Sequence, residues 1–117
     1  RDLAPGDSVG YDATWRARRP SRVATLALGY ADGYRRSLGN KAEALLHGRR
    51  VPVVGTVMMD MTILDVTDVP CAEGDIATLF GADGDDLLTV EAVAAHASLS
   101  PYELLTGLRQ RVTRVHA

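Results

Sequence analysis

The chain has 117 residues, 46% of them apolar and 24% charged, with a net charge of −2. That is room for one domain with one core and an ordinary globular composition. The small net charge gives no footprint for nucleic acid or an anionic membrane, and no apolar run approaches the roughly 18 residues of a membrane span. No signal peptide is visible, and the start at Arg1 rather than Met reads as a piece of a longer polypeptide. Cys71 is the only cysteine, so no internal disulfide can form, which is compatible with a reducing cytoplasm. Of 13 basic residues only Lys41 is a lysine. Chemistry that needs a lysine amine must use Lys41 or borrow one.

Short apolar runs alternate with Gly, Pro and Asp punctuation, which predicts a mainly β domain. After the turn Pro5-Gly6-Asp7, a strand is expected from Asp7 to Trp15. Arg22 to Gly29 reads as a buried strand, broken by Ala31-Asp32-Gly33. Ala42 to Leu46 and Arg50 to Val57 read as two strands joined through His47-Gly48-Arg49. Met61 to Val66 and Asp75 to Phe80 follow as strands, and Gly81 to Asp86 as an acidic turn. Then the pattern changes. Thr89 to Ala97 reads as a helix with Thr89 as N-cap and Glu91 in its first turn. Ser100-Pro101-Tyr102-Glu103 carries the cap, the proline and the acid of a second helix start. Gln110 to Val115 alternates as a last strand.

Four segments stand out in order: Val9-Gly10-Tyr11-Asp12-Ala13-Thr14-Trp15, Leu28-Gly29-Tyr30-Ala31-Asp32-Gly33-Tyr34, Val54-Gly55 with Met58-Met59-Asp60, and Ser100-Pro101-Tyr102-Glu103 with Arg111 and Arg114 behind. Together they resemble the C-terminal domain of alanine racemase, a pyridoxal-phosphate (PLP) dependent, fold-type III amino-acid racemase family. The resemblance spans residues 1–117. It implies a β-barrel-like domain with one or two short helices near its C-terminal end. It also implies an N-terminal (β/α)8 barrel, about 250 residues, that is not in this sequence. That barrel would supply the Schiff-base lysine that anchors PLP. The implied assembly is a bacterial, cytoplasmic homodimer in which the β-domain of one subunit reaches the cofactor of the other. The implied activity interconverts L- and D-alanine and supplies D-alanine for peptidoglycan.

Racemisation removes a proton from one face of Cα and returns one on the other, and the simplest arrangement places one base on each face, with PLP as electron sink. The resemblance makes Tyr11 the catalytic tyrosine, acting opposite the lysine on the L-enantiomer's proton. A free tyrosine has a pKa of about 10 and needs nearby positive charge or hydrogen bonds to act at neutral pH. No activating group is identifiable in this sequence. Tyr102 resembles the tyrosine that donates to the PLP phosphate. Met59 resembles the residue whose backbone N–H holds the substrate carboxylate, with Asp60 beside it as an orienting acid. Tyr30 and Arg36 match positions along the channel by which substrate arrives, and Tyr30 also approaches the carboxylate. Gly10 and Thr56 depart from the pattern, where relatives carry a serine and an arginine.

Each of these residues also has a plain reading: a packed tyrosine ring for Tyr11 and Tyr102, core filling for Met58 and Met59, a turn for Asp32. Asp83, Asp85 and Asp86 lack the spacing of a calcium loop, and His47, His96 and His116 show no metal-ligand spacing. Lys41, beside Gly39-Asn40, reads as a surface-loop lysine, so the chain alone is expected to be inactive. Two other functions remain open: a racemase of the same fold for serine or a broader set of amino acids, and a stand-alone β-barrel binding module without catalysis.

Overall fold

The computed structural model of the chain describes residues 1–9, 14–84 and 86–96. The described residues form ten strands and one helix. In chain order the strands are β1 Asp2–Leu3, β2 Ser8–Val9, β3 Trp15–Arg16, β4 Ser21–Leu26, β5 Glu43–Leu46, β6 Arg49–Val54, β7 Thr62–Asp65, β8 Ala77–Thr78, β9 Gly81–Asp83 and β10 Asp86–Leu88, and helix α1 is Val90–His96. Six strands make one antiparallel sheet in the order β1-β4-β7-β6-β5-β8, while β2 with β3 and β9 with β10 form two separate ribbons.

The expected strands are present but shorter, for identifiable reasons. β4 ends at Leu26 rather than Gly29 because the backbone beyond it bonds to another loop: Tyr30 N–H donates to the Met58 carbonyl at 2.9 Å. β6 ends at Val54 because Gly55 takes a φ of 75°, which turns the chain out of the ladder. The β5–β6 hairpin closes on only two residues, His47 and Gly48, with φ of 52° and 73°, and Leu46 pairs directly with Arg49. That is the doubly left-handed turn whose twist suits a hairpin. The segment expected as one strand from Asp7 to Trp15 instead contributes two antiparallel strands, with Val9 opposite Trp15. The acidic stretch from Gly81 to Asp86 is not a bare turn but the ribbon β9–β10, paired Gly81 to Leu88 and Asp83 to Asp86. Its acids have structural partners: Asp83 accepts from Gly48 N–H at 2.9 Å, and Asp86 accepts from Arg50 at 2.8 Å. Thr89 caps α1 as expected, its hydroxyl accepting from Ala92 N–H at 3.0 Å. The helix expected at Ser100 and the strand expected from Gln110 lie outside the described residues.

The centre of the sheet is covered on both faces. Leu64 of β7, Val51 and Val53 of β6 and Ala44 of β5 face the main core, which also takes in Tyr34, Leu38, Val57 and Val93. The neighbouring residues Val23, Val54 and Ile63 point the other way. They meet Leu3, Val9 and Ala17 in a second, smaller core, with Trp15 and Met58 packed against it. The alternation of strand side chains thus fills two layers. Among the described residues, no helix is long and apolar enough to cross a membrane.

Candidate active-site face

Three connections meet at one end of the central strands, where Leu26 of β4 pairs with Thr62 of β7, and Val54 of β6 pairs with Ile63. These are the stretch after β4, the stretch between β6 and β7, and the ends of the β2–β3 ribbon. The first two are stitched together by main chain. Tyr30 N–H donates to the Met58 carbonyl and Ala31 N–H to the Met59 carbonyl, each at 2.9 Å. Met58 N–H in turn donates to the Met61 carbonyl at 3.0 Å, which closes the Met58–Met61 turn. Gly29 makes this approach possible. A β-carbon on Gly29 would lie 2.7 Å from the Met59 carbonyl carbon and closer still to the Met58 oxygen, well inside van der Waals contact.

Asp32 locks the Gly29 side of the seam. It is only 1% exposed, and its carboxylate accepts from Gly29 N–H at 3.1 Å. Asp32 N–H donates back to the Gly29 carbonyl at 3.0 Å, which closes a reciprocal loop around the short 3-10 turn Tyr30–Asp32. Gly33, with φ 99°, ends that turn. Tyr34 behind it is buried in the main core, and its hydroxyl finds no hydrogen-bond partner among the described residues. Burial pushes the Tyr34 hydroxyl pKa up, so this tyrosine stays protonated.

The third connection is tied in by Asn40. Its side-chain oxygen accepts from Gly55 N–H at 2.7 Å, and its amide nitrogen donates to the Thr14 hydroxyl at 3.1 Å. The Thr14 and Thr56 hydroxyls are 3.3 Å apart. A β-carbon on Gly39 would sit 2.5 Å from the Gly55 carbonyl oxygen, and one on Gly55 would meet the Val9 side chain at 3.1 Å. Val9 and Thr14, which bracket the segment carrying Tyr11 in the sequence, are therefore both held against Gly55 and its neighbours.

Of the residues expected at the site, the structure brings Tyr30, Met59, Asp60 and Arg36 to this end. Met59 is 57% exposed, although its neighbour Met58 packs against the smaller core. Core filling is therefore the role of Met58 and not of Met59. Among the described residues no hydrogen bond uses the Met59 N–H. Tyr30 is exposed, with the Arg36 guanidinium 5.6 Å from its ring centre, a cation–π arrangement. Asp60 is exposed beside Met59. Tyr11 and Tyr102 lie outside the described residues. The roles of Asp32 and Asn40 were not apparent from the motifs, because each acts on backbone groups of a loop distant in sequence. Buried Asp in a glycine-flanked turn was the available signal.

The donor set suits one wall of a site for a PLP-bound amino acid. It offers an unclaimed backbone N–H at Met59, an exposed tyrosine hydroxyl and a guanidinium. It does not offer the cofactor's covalent anchor, since Lys41 is exposed on a loop and is the chain's sole lysine.

Comparison with known proteins agrees. The family model described as "Alanine racemase, C-terminal domain" matches residues 1–116. The alanine racemase of Acidiphilium cryptum is 48% identical over 116 residues, covering 98% of this chain and 31% of that protein. Among solved structures, alanine racemase from Bartonella henselae with covalently bound pyridoxal phosphate superposes with a TM-score of 0.88 at 36% identity, covering 100% of this chain and 32% of that one. Biosynthetic alanine racemase from Pseudomonas aeruginosa gives a TM-score of 0.87 at 43% identity, with 100% of this chain and 32% of that one covered. The chain spans about a third of the length of these relatives, and it belongs to the alanine racemase C-terminal domain family.

Proposed function

We propose that this chain is the substrate-binding and proton-transferring wall of a PLP-dependent alanine racemase, completed by an N-terminal barrel and a second subunit. The observation that carries the reading is the family match over residues 1–116 together with the meeting of the motif-bearing loops at one end of the sheet. In this reading Met59 N–H donates to the substrate carboxylate, and Tyr30 and Arg36 line the approach. Asp60 orients the Met59 loop from its exposed side, and the Tyr102 hydroxyl donates to the cofactor phosphate. Bound PLP withdraws electrons from the substrate and so makes the α-proton acidic enough to remove. Tyr11 takes that proton from L-alanine and returns it in the reverse direction. Its phenolate must be stabilised by positive charge or hydrogen bonds from outside this chain. The setting is the bacterial cytoplasm, and the product D-alanine feeds peptidoglycan.

The reading is tested by racemisation of L-alanine by the full-length protein that carries this domain. Comparing its rates on alanine, serine and lysine separates an alanine racemase from a broader one. The chain alone, mixed with pyridoxal phosphate and L-alanine, is expected to give no racemisation. Turnover by the isolated chain would contradict the assignment of the anchoring lysine to another domain. Absence of any racemase activity in the full-length protein would favour a non-catalytic module.

A further inference from the structure

We infer that Asp32 is a positioning residue for the amide that receives the substrate carboxylate. The inference rests on the racemase reading above and concerns how this chain prepares its own donor. A peptide unit is planar and trans, so its C=O and N–H point in opposite directions. The Met59 N–H belongs to the same peptide unit as the Met58 carbonyl. The Tyr30 N–H grips that carbonyl at 2.9 Å and so turns the Met59 N–H away from the Tyr30 loop, to the side where it meets no partner among the described residues. The next peptide unit is fixed in the same way, through Ala31 N–H on the Met59 carbonyl at 2.9 Å.

Both gripping amides sit in the turn that Asp32 closes. Its carboxylate holds Gly29 N–H at 3.1 Å, and Gly29 is the residue whose missing β-carbon lets the two loops touch. Ordinary turns do not need a carboxylate at 1% exposure. Burying one is costly unless it is bonded, whereas a solvated Asn closes a turn as well and a Ser does so more weakly. Asp32 also has a further interaction. The buried acid holds the Gly29 amide, and through the turn it closes it orients a backbone donor that no side-chain substitution can replace.

The test uses the full-length enzyme and propionate, which carries alanine's carboxylate and methyl group but no amine and cannot be racemised. Propionate affinity is read by calorimetry, alongside KM and kcat for L-alanine. For Asp32→Ala, propionate affinity is expected to fall by about tenfold and KM to rise by a similar factor, the loss expected for one hydrogen bond to a charged group. The kcat and the cofactor's absorbance should stay within about threefold of wild type, the signature of lost ground-state binding. Asp32→Asn, whose amide oxygen can still accept from Gly29 N–H, should retain propionate affinity within about threefold. If Asp32→Ala does not fold, Asp32→Ser carries the same test, since its shorter side chain fills the turn but does not reach the amide at full strength. Unchanged propionate affinity in a folded Ala or Ser variant overturns the inference, as does an equal loss in Asp32→Asn. Failure of the wild-type enzyme to racemise alanine would instead overturn the functional reading on which it rests.

Discussion

At the Ser21–Asp65 end of the central strands the chain turns on exposed side chains. Arg19 pairs with Asp68 at 2.8 Å, Arg49 donates to the Asp68 carbonyl at 3.3 Å, and His47 meets Asp75 at 2.8 Å. At the Leu26–Thr62 end it turns on backbone: Tyr30 and Ala31 amides on the Met58 and Met59 carbonyls, Gly29 and Gly39 pressed against facing main chain, Asn40 and Asp32 bonded to glycine amides. Exposed ion pairs gain little, because water screens them and long side chains must be ordered. Backbone contacts at short range tolerate no displacement. Of the residues the family reading needs, Tyr30, Met59, Asp60 and Arg36 lie at the second end. The difference is that close main-chain contacts between loops gather at the end where the proposed reading orients a ligand, while exposed ion pairs gather at the other.

Breaking the tight end should cost most. Gly29→Ala drives a β-carbon into the Met58 and Met59 backbone. It is expected to destabilise by at least ~3 kcal/mol, read as a fall in the denaturant midpoint, or to abolish folding. Asn40→Ala removes the acceptor for Gly55 N–H and leaves at a φ of 60° an alanine, which tolerates the left-handed region less well than asparagine. A loss of ~1–3 kcal/mol is expected. Asn40→Gly, which accepts that φ, should recover part of it. Tyr34→Phe removes a buried hydroxyl without a partner among the described residues. Thermal unfolding should be unchanged or shifted upward, by up to ~1 kcal/mol. A clear loss would show that Tyr34 has a function beyond packing.

The loose end should respond least, and to different variables. Arg19→Ala is expected to leave the unfolding midpoint unchanged within error, in low and high salt alike. The Asp75 carboxyl is held below its usual range by the Ala72 N–H and then by His47, and the Asp68 carboxyl is held below it by Arg19. A lowered folded pKa contributes stability above the unfolded carboxylate range and loses it as pH falls through the folded value. Acid titration of stability should therefore flatten slightly in Asp75→Asn.

The sheet was legible in the sequence because its strands are short, apolar and punctuated. Leu45, Val53 and Leu64 announce their burial by type, and Thr89 announces the helix start. Strand ends were less legible. Leu28 and Val57 are apolar enough to extend β4 and β6, but the Leu28 carbonyl accepts from the Thr62 hydroxyl, and the chain turns at Gly55 before it reaches Val57. The ribbon β9–β10 was hidden because Asp83 and Asp86 look like solvated turn residues until Gly48 and Arg50 are brought to them. Tyr30 and Met59 were singled out by motif resemblance. Asp32 was visible only as a turn former, since its partner seam lies nearly thirty residues away in the Met58–Met59 loop.

The central claim is that this domain supplies the base for one face of the substrate, Tyr11, while the other base comes from elsewhere. It is tested most directly by hydrogen–deuterium exchange at Cα in heavy water, with the full-length Tyr11→Phe enzyme. The account predicts that exchange into L-alanine falls by about 10²–10⁴-fold, while D-alanine still exchanges its α-proton without inverting. Equal loss of exchange from both enantiomers, or undiminished exchange into L-alanine, would contradict it.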